Sequence, residues 1–234
     1  MNESEREIRR IQQLYRTKYN PDPSDRTHIW HPLNPVALYF RQAQERAVAE
    51  LFRQHTQSLH DMQILDLGCG QGGLLTFLVR SGASPYSIRG VDLLWERLVQ
   101  GRTTLPASVG MINADGANLP FQHTFFDLVC QFTVFSSIFS PEIRSRVASE
   151  VNRILKPGGL VLWYDLRIGK TESILGIDKP EIKSLFPGYH WKSERRLHIP
   201  FSTRLAQKSS LLCGVLEHIP GIPRTHILGL LQKP

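Results

Sequence analysis

From Met62 to Asp165, short apolar runs alternate with stretches whose apolar residues recur at helical spacing. The predicted strands are residues 63–67, 87–93, 109–115, 126–132 and 160–165. Repeated strand–helix alternation favours a parallel sheet with helices on both faces, because each crossover must return the chain to the same edge. The sequence therefore predicts an α/β, doubly wound fold.

Further elements are predicted on both sides of this core. Ser4 followed by Glu7 has the form of a capping box, and Pro35 suits the first turn of a helix that continues to about His55. After the core, the pattern predicts helices at 181–186 and 205–218 and strands at 191–199 and 226–231. We expect residues 1–60 to form a helical extension that acts as a substrate lid, and 61–234 to form the ligand-binding domain.

The first predicted strand runs into the glycine-rich turn Ile64-Leu-Asp-Leu-Gly-Cys-Gly-Gln-Gly-Gly. Gly68, Gly70 and Gly73 satisfy the G-x-G-x-x-G spacing of dinucleotide-binding turns. Asp66 changes the interpretation, because a carboxylate at the end of this strand would repel a pyrophosphate. The same carboxylate suits a ligand that carries an α-amino group.

Two more acids end the next two predicted strands. Asp92 ends the second strand, where a carboxylate can accept both hydrogen bonds of a ribose diol. Asp115 ends the third strand and can accept from an adenine amino group. Since open α/β sheets bind ligands at the carboxyl ends of their strands, Asp66, Asp92 and Asp115 predict one adenosine-type site.

These motifs resemble the class I S-adenosylmethionine-dependent methyltransferases, in particular the type-11 group. The resemblance is carried by the glycine-rich turn and by Gly90-Val-Asp, Asp115-Gly-Ala, Phe126-Asp-Leu-Val and Glu150-Val-Asn-Arg-Ile-Leu-Lys-Pro-Gly-Gly. It covers somewhat under half of the chain. It implies a seven-stranded, mostly parallel Rossmann-like sheet of order 3-2-1-4-5-7-6, with the seventh strand antiparallel.

The resemblance also implies S-adenosyl-L-methionine as the cofactor and assigns residues to its parts. The residues expected at its methionine end are Asp66, Gly68, Cys69 and Gly70. The residues expected around its ribose and adenine are Asp92, Leu93, Asp115 and Gly116. Gln131 is expected near the methionine portion or the transferring methyl group.

The implied reaction moves a methyl group to oxygen or carbon of a small molecule, a glycan or a lipid-linked intermediate. A hydroxyl acceptor can need a base, and the candidates are Asp165, which ends the fifth strand, and His31, in the predicted lid. Enzymes that methylate amino groups of nucleic acids often carry an Asn/Asp-Pro-Pro-Tyr turn after the fourth strand. This chain has Gln131-Phe-Thr-Val there, which disfavours that class of enzyme. Alternatives left open are an RNA or protein methyltransferase, a non-catalytic cofactor-binding module and, least favoured, a nicotinamide oxidoreductase.

Composition adds expectations about partners and compartment. The net charge is +7, and the residues from Arg167 onward include eleven Lys and Arg but only five Asp and Glu. Such a region can meet an anionic acceptor, a phospholipid surface or nucleic acid, although a solvated surface is the favoured interpretation. No apolar run approaches the roughly 18 residues of a transmembrane helix, so at most peripheral membrane contact is expected.

The remaining composition argues for a cytoplasmic protein without a metal. The amino terminus carries charges of both signs and lacks the apolar core of a signal peptide, which predicts a cytoplasmic location. Cys69, Cys130 and Cys213 are far apart and form no CxxC pair, so we expect buried thiols and neither disulfides nor a zinc site. The sequence leaves the oligomeric state open.

Overall fold

A computed structural model describes residues 3–18, 25–56, 58–170 and 173–234. Its centre is a seven-stranded sheet of order β3-β2-β1-β4-β5-β7-β6. The strands are β1 (Ile64–Leu67), β2 (Ile88–Asp92), β3 (Gly110–Asn113), β4 (Phe126–Phe132), β5 (Leu155–Leu166), β6 (His190–Leu197) and β7 (His226–Gln232). Strands β1 to β5 pair in parallel, and β7 is antiparallel to both β5 and β6. The predicted fold, strand order and antiparallel seventh strand are confirmed.

Helices cover both faces of the sheet. They are α1 (Glu3–Lys18), α2 (Pro35–His55), α3 (Gly73–Arg80), α4 (Trp95–Arg102), α5 (Pro141–Ile154), α6 (Lys179–Leu185), α7 (Ser202–Ala206) and α8 (Ser210–Leu216). Along β5, Val161 and Trp163 pack with α5 and α6, whereas Leu162 and Tyr164 pack with α2 and α3. Because successive strand residues face opposite sides, this apolar run is buried on both faces.

The parallel register brings the carboxyl ends of the first strands to one edge. Asp66 pairs with Gly90 on one side and with Cys130 on the other, while Asp92 pairs with Asn113. The acids that end β1 and β2 therefore lie on neighbouring strands at the same edge. The third acid, Asp115, follows two residues after the end of β3.

Two predicted boundaries are wrong. Ser4 lies inside α1, and the carboxylate of Glu7 accepts from the Phe139 amide instead of capping its own helix. The helix expected at 205–218 is two helices, because Ser209 caps a new one by accepting from the Leu212 amide.

The three cysteines are buried free thiols, as expected. Among the described residues, no helix combines the length and apolar character needed to cross a membrane. The amino-terminal part of the chain contributes α1 and α2, which pack on different layers of the core.

Candidate active site

Three adjoining cavities lie at the carboxyl edge of the sheet. We call them the inner cavity, of about 180 Å³, the middle cavity, of about 360 Å³, and the outer chamber, of about 850 Å³. The guanidinium-bearing residue Arg97, on α4, lines all three. Tyr15 and Thr133 line both the inner cavity and the outer chamber, so these two spaces share a wall.

Asp92 organises the inner cavity. One carboxylate oxygen accepts from the Gly70 amide at 2.8 Å, and the other accepts from the Leu94 amide at 2.9 Å. These bonds tie the glycine turn after β1 to the end of β2. A carboxylate has about four acceptor positions, so both oxygens can still accept from a ligand diol.

The glycine turn requires residues without a side chain. Gly68 and Gly70 have φ values of +72° and +55°, a region that favours glycine. A Cβ atom at Gly68 would lie 2.5 Å from Val134, and one at Gly70 would lie 2.5 Å from Arg97. The turn therefore places its backbone close to Val134 and Arg97, at positions where an added side chain would collide with them.

Asp66 is a buried carboxylate without a donor. It lines the middle cavity and is only 2 % exposed. Within the described residues, no hydrogen bond reaches its side chain. Burial, and to a lesser extent the charge of Asp92, raise the pKa of Asp66 well above its ordinary value. A cationic donor such as an α-ammonium group would complete this site, since a buried acceptor without a partner is costly.

The adenine-side residues also line the inner cavity. Asp115 accepts from the Ala117 amide at 2.9 Å, which leaves its second carboxylate oxygen available. Gly116 and Leu93 lie in the same wall. The structure thus brings together Gly68, Asp92, Leu93, Asp115 and Gly116 around one space, while Asp66 and Cys69 lie in the adjoining middle cavity.

Helix α1 closes one side of the inner cavity. Glu7, Ile11 and Tyr15 belong to its wall. The helix is anchored by Glu7, which accepts from the Phe139 amide, and by Tyr15, whose hydroxyl lies 2.9 Å from the Ser137 hydroxyl. It belongs to the helical extension for which the sequence predicts a role as a substrate lid, and that role stays a prediction.

Arg97 is a feature that sequence reasoning missed. Its guanidinium carbon lies 5.1 Å from the centre of the Tyr15 ring. It is the only Lys or Arg in the walls of the inner cavity and the outer chamber, counting the described residues. An anionic ligand group at this junction can therefore pair with it. No sequence motif singles it out among the other cations of the chain.

Most of the exposed wall surface of the outer chamber is apolar, although polar residues outnumber aromatic and aliphatic ones in it. Its apolar lining residues are Trp30, Pro32, Phe40, Tyr164, Leu166, Ile174, Ile199 and Pro200. Serine, threonine and glutamine side chains supply the rest of the wall together with Tyr15, Arg97, His31 and His226. No Asp, Glu or Lys of the described ranges lines it. The chamber thus suits an uncharged, largely apolar molecule better than a zwitterion.

Two imidazoles lie in the chamber wall. His226 stacks on Tyr164 at 5.3 Å, and its Nδ1 lies 2.8 Å from the Thr225 hydroxyl. Burial, followed by the neighbouring His198, lowers the pKa of His226 to about 3, so its ring is neutral at physiological pH. His31 accepts from the Leu33 amide through Nδ1 at 3.1 Å. The ring of His226 presents Nε2 as a second polar atom.

Three of the expected site residues, Gly70, Gln131 and Asp165, line none of the three spaces, and the last two lie behind the cavity walls. Asp165 is fully buried and accepts from the Ser136 amide at 3.1 Å and the Leu166 amide at 2.9 Å. Burial raises its pKa to about 6. Gln131 accepts from the Val134 amide at 3.2 Å. Both side chains support the turn between residues 133 and 137, whose start, Thr133, lines the inner cavity and the outer chamber.

Comparison with known proteins supports the interpretation of this edge. Residues 64–159 match the family model described as a methyltransferase domain. The chain is 38 % identical over 111 residues to phthiotriol/phenolphthiotriol dimycocerosates methyltransferase 1 of Mycobacterium ulcerans, covering 47 % of this chain and 39 % of that protein. It is 36 % identical over 139 residues to the corresponding methyltransferase of Mycobacterium leprae, covering 57 % and 50 %. The chain therefore spans half or less of the length of these curated relatives.

A solved structure shows the same fold. The S-adenosylmethionine-dependent methyltransferase from Mesorhizobium loti superposes with a TM-score of 0.60 at 17 % identity, covering 81 % of this chain and all of that one. The predicted resemblance and the cofactor are confirmed by these matches. The described residues fit S-adenosylmethionine, because Asp66 lacks a donor, Asp92 and Asp115 keep free acceptor positions, and the glycine turn leaves room for backbone contact.

We expect Asp66→Asn to weaken the binding of S-adenosylhomocysteine by about ten- to a hundredfold. The change removes a charge-assisted hydrogen bond to the α-ammonium group, worth about 1.5–3 kcal/mol. Binding of adenosine, which lacks the amino-acid portion, should be unchanged. Calorimetry with both ligands measures the difference, and Asp61→Asn, at an exposed site, is the control. Equal losses for both ligands would contradict this role of Asp66.

We also expect S-adenosylhomocysteine to displace a proton from Asp66 at pH 5. The raised pKa keeps this carboxyl protonated at a pH where an ordinary aspartate is ionised, and the arriving ammonium group favours the ionised form. The release should disappear once the pH exceeds the raised pKa. Calorimetry in buffers of different ionisation enthalpy measures it. A release that persists in Asp66→Asn would assign the proton to another group.

Proposed function

We propose that this chain, whose residues 64–159 form a class I S-adenosylmethionine-dependent methyltransferase domain, transfers a methyl group to oxygen or carbon of an apolar or lipid-linked acceptor. The observation that carries the proposal is the outer chamber, which adjoins the inner cavity and has mainly apolar walls. The proposal places the reaction in the cytoplasm, the compartment that the sequence predicts.

The shared wall supports transfer between the two spaces. Tyr15, Arg97 and Thr133 line both the inner cavity and the outer chamber. The bound cofactor supplies a methyl group already activated on a sulfonium, so the main task of the chain is to position the acceptor. Thr133 has a φ of +58° and is held by its amide, which donates to the Tyr164 carbonyl at 2.8 Å. A fixed backbone at this junction favours a defined distance between donor and acceptor.

The chamber's chemistry favours an uncharged acceptor with a large apolar portion. A zwitterionic acceptor would need a counter-charge for its ammonium group, and the described wall contains no carboxylate. The two mycobacterial relatives are named for the methylation of phthiotriol and phenolphthiotriol dimycocerosates. Their names are consistent with a lipid acceptor for this chain, and a glycan without an apolar portion fits the walls less well.

If the acceptor is a hydroxyl, an imidazole of the chamber wall can accept a hydrogen bond from it. His31 and His226 both lie in the chamber wall, and the neutral ring of His226 can accept a hydrogen bond. We propose these two rings as the groups that orient the hydroxyl. Asp165 lies behind the wall, so we propose for it a positioning role on the turn that includes Thr133. Methylation at carbon would make either imidazole less important.

An acceptor screen with methyl-labelled S-adenosylmethionine tests the proposal. We expect label in long-chain diols or sterols dispersed in detergent, and its loss in Asp92→Ala, which removes the cofactor's ribose partner and the anchor of the glycine turn. The matched control, Asp61→Ala, should retain transfer. Label found only in RNA, in protein or in glycine would overturn the proposed acceptor class. Cofactor binding without transfer to any acceptor would indicate a non-catalytic module.

Filling the chamber should separate acceptor binding from cofactor binding. Thr203 lines the outer chamber but neither of the other cavities. We expect Thr203→Trp to raise the KM for a long-chain acceptor by about tenfold or more, since the indole occupies apolar space that the acceptor would fill. Affinity for S-adenosylhomocysteine should stay unchanged. Gln207→Trp, at an exposed position just after α7, is the control. An unchanged KM would remove the chamber as the acceptor site.

A further inference from the structure

Exposed apolar side chains concentrate on the short helix α8 and on residues that flank α7 and α8. Among the described residues, ten large apolar side chains are exposed, and five of them fall between positions 201 and 219. These five are Phe201, Leu211, Leu212, Val215 and Ile219. Leu211 is 79 % exposed and Val215 is 55 % exposed. We call this set the α7–α8 apolar face. Large apolar side chains gathered on one surface usually mark a contact with a partner or a membrane.

The face is the outer side of helices that are packed on their inner side. Ala206 and Cys213 are buried against Val36, Tyr39 and Phe40 of α2. Leu211 and Val215 are four residues apart and therefore share one side of α8, away from Cys213. The helices thus have one side in the core and an apolar side in solvent. An unpacked segment would not show this division.

The charge around the face is positive. Between Phe201 and Ile219 the charged residues are two cations, Arg204 and Lys208, and one acid. That acid, Glu217, is turned inward, where it accepts from the Tyr39 hydroxyl and from the His198 amide. Arg204 and Lys208 are exposed beside the apolar side chains. Exposed leucines flanked by unopposed cations match the interface of an anionic bilayer, where apolar groups enter the acyl region and cations meet phosphates.

The same face adjoins the outer chamber. Ile199, Pro200, Ser202 and Thr203 line the chamber, and Phe201 between them points its exposed ring to solvent. The segment that forms part of the chamber wall is therefore continuous with α7. Any partner surface in contact with the α7–α8 apolar face would therefore lie next to the outer chamber.

We propose that the α7–α8 apolar face docks on an anionic phospholipid bilayer and delivers a membrane-held acceptor to the outer chamber. The delivery step rests on the proposed function, whereas the docking does not. We infer a bilayer as the partner because the face combines exposed leucine and valine side chains with cations. Nucleic acid would engage the cations without using the apolar side chains.

Vesicle sedimentation of the full chain tests the docking. We expect binding to vesicles that contain phosphatidylglycerol, weak binding to vesicles of phosphatidylcholine alone, and weaker binding at high salt. The double variant Leu211→Ser with Val215→Ser should lose affinity by about tenfold or more, because two apolar side chains no longer enter the bilayer. The matched control, Tyr86→Ser with Val99→Ser, changes exposed apolar residues elsewhere and should bind normally.

Three results would overturn the docking proposal. They are no binding to anionic vesicles, equal binding by the double variant, and a dimer in solution that the double variant dissociates, which would assign the face to a second copy of the chain. Failure of the proposed function is distinguishable, because transfer to an acceptor dispersed in detergent needs no vesicle. We expect the double variant to retain that transfer and its affinity for S-adenosylhomocysteine. If the double variant lost transfer to the acceptor dispersed in detergent, the face would act on the acceptor site itself and not through a bilayer.

Discussion

The bonds that the Asp92 carboxylate accepts from the Gly70 and Leu94 amides hold the site together. They connect the turn after β1 to the end of β2 across two neighbouring strands. They add to the bonds that the Gly68 and Cys69 amides donate to the Val91 carbonyl, at 2.8 and 3.0 Å, so the turn is held to β2 by both backbone and side chain. The same carboxylate faces the inner cavity, so one group both shapes the turn and presents acceptor positions to the cofactor. Structural and binding roles are therefore not separable at this position.

The fold and the cofactor side could be predicted because their signals are local. The predicted ends of β1, β2 and β4 lie within one residue of the observed ends. The position of Asp66 and Asp92 at one edge of the sheet then follows from the parallel arrangement of the strands. The break at Ser209 was not predicted, because the apolar pattern is continuous across it and the break is made by a single capping bond.

Apart from His31, the walls of the outer chamber could not be predicted, because they are assembled from distant parts of the chain. Trp30, Arg97, Thr133, Tyr164 and His226 come from five separate segments. No spacing rule relates them. Asp165 shows the opposite problem, because its place at a strand end is typical of a site residue, yet one of its oxygens accepts from the Ser136 amide and the other from the Leu166 amide. Strand ends locate the edge of the sheet but not which side chains turn toward the cavity.

The anchoring of α1 has a kinetic consequence. This 16-residue helix lies against the inner cavity and is fixed there by side chains that bond to the segment after β4. A nucleoside held beneath it is enclosed between helix and sheet. A cofactor bound there would enter and leave either as those bonds open or through the outer chamber, which shares a wall with the inner cavity. The strength of the anchoring would then bear on how fast the bound cofactor exchanges.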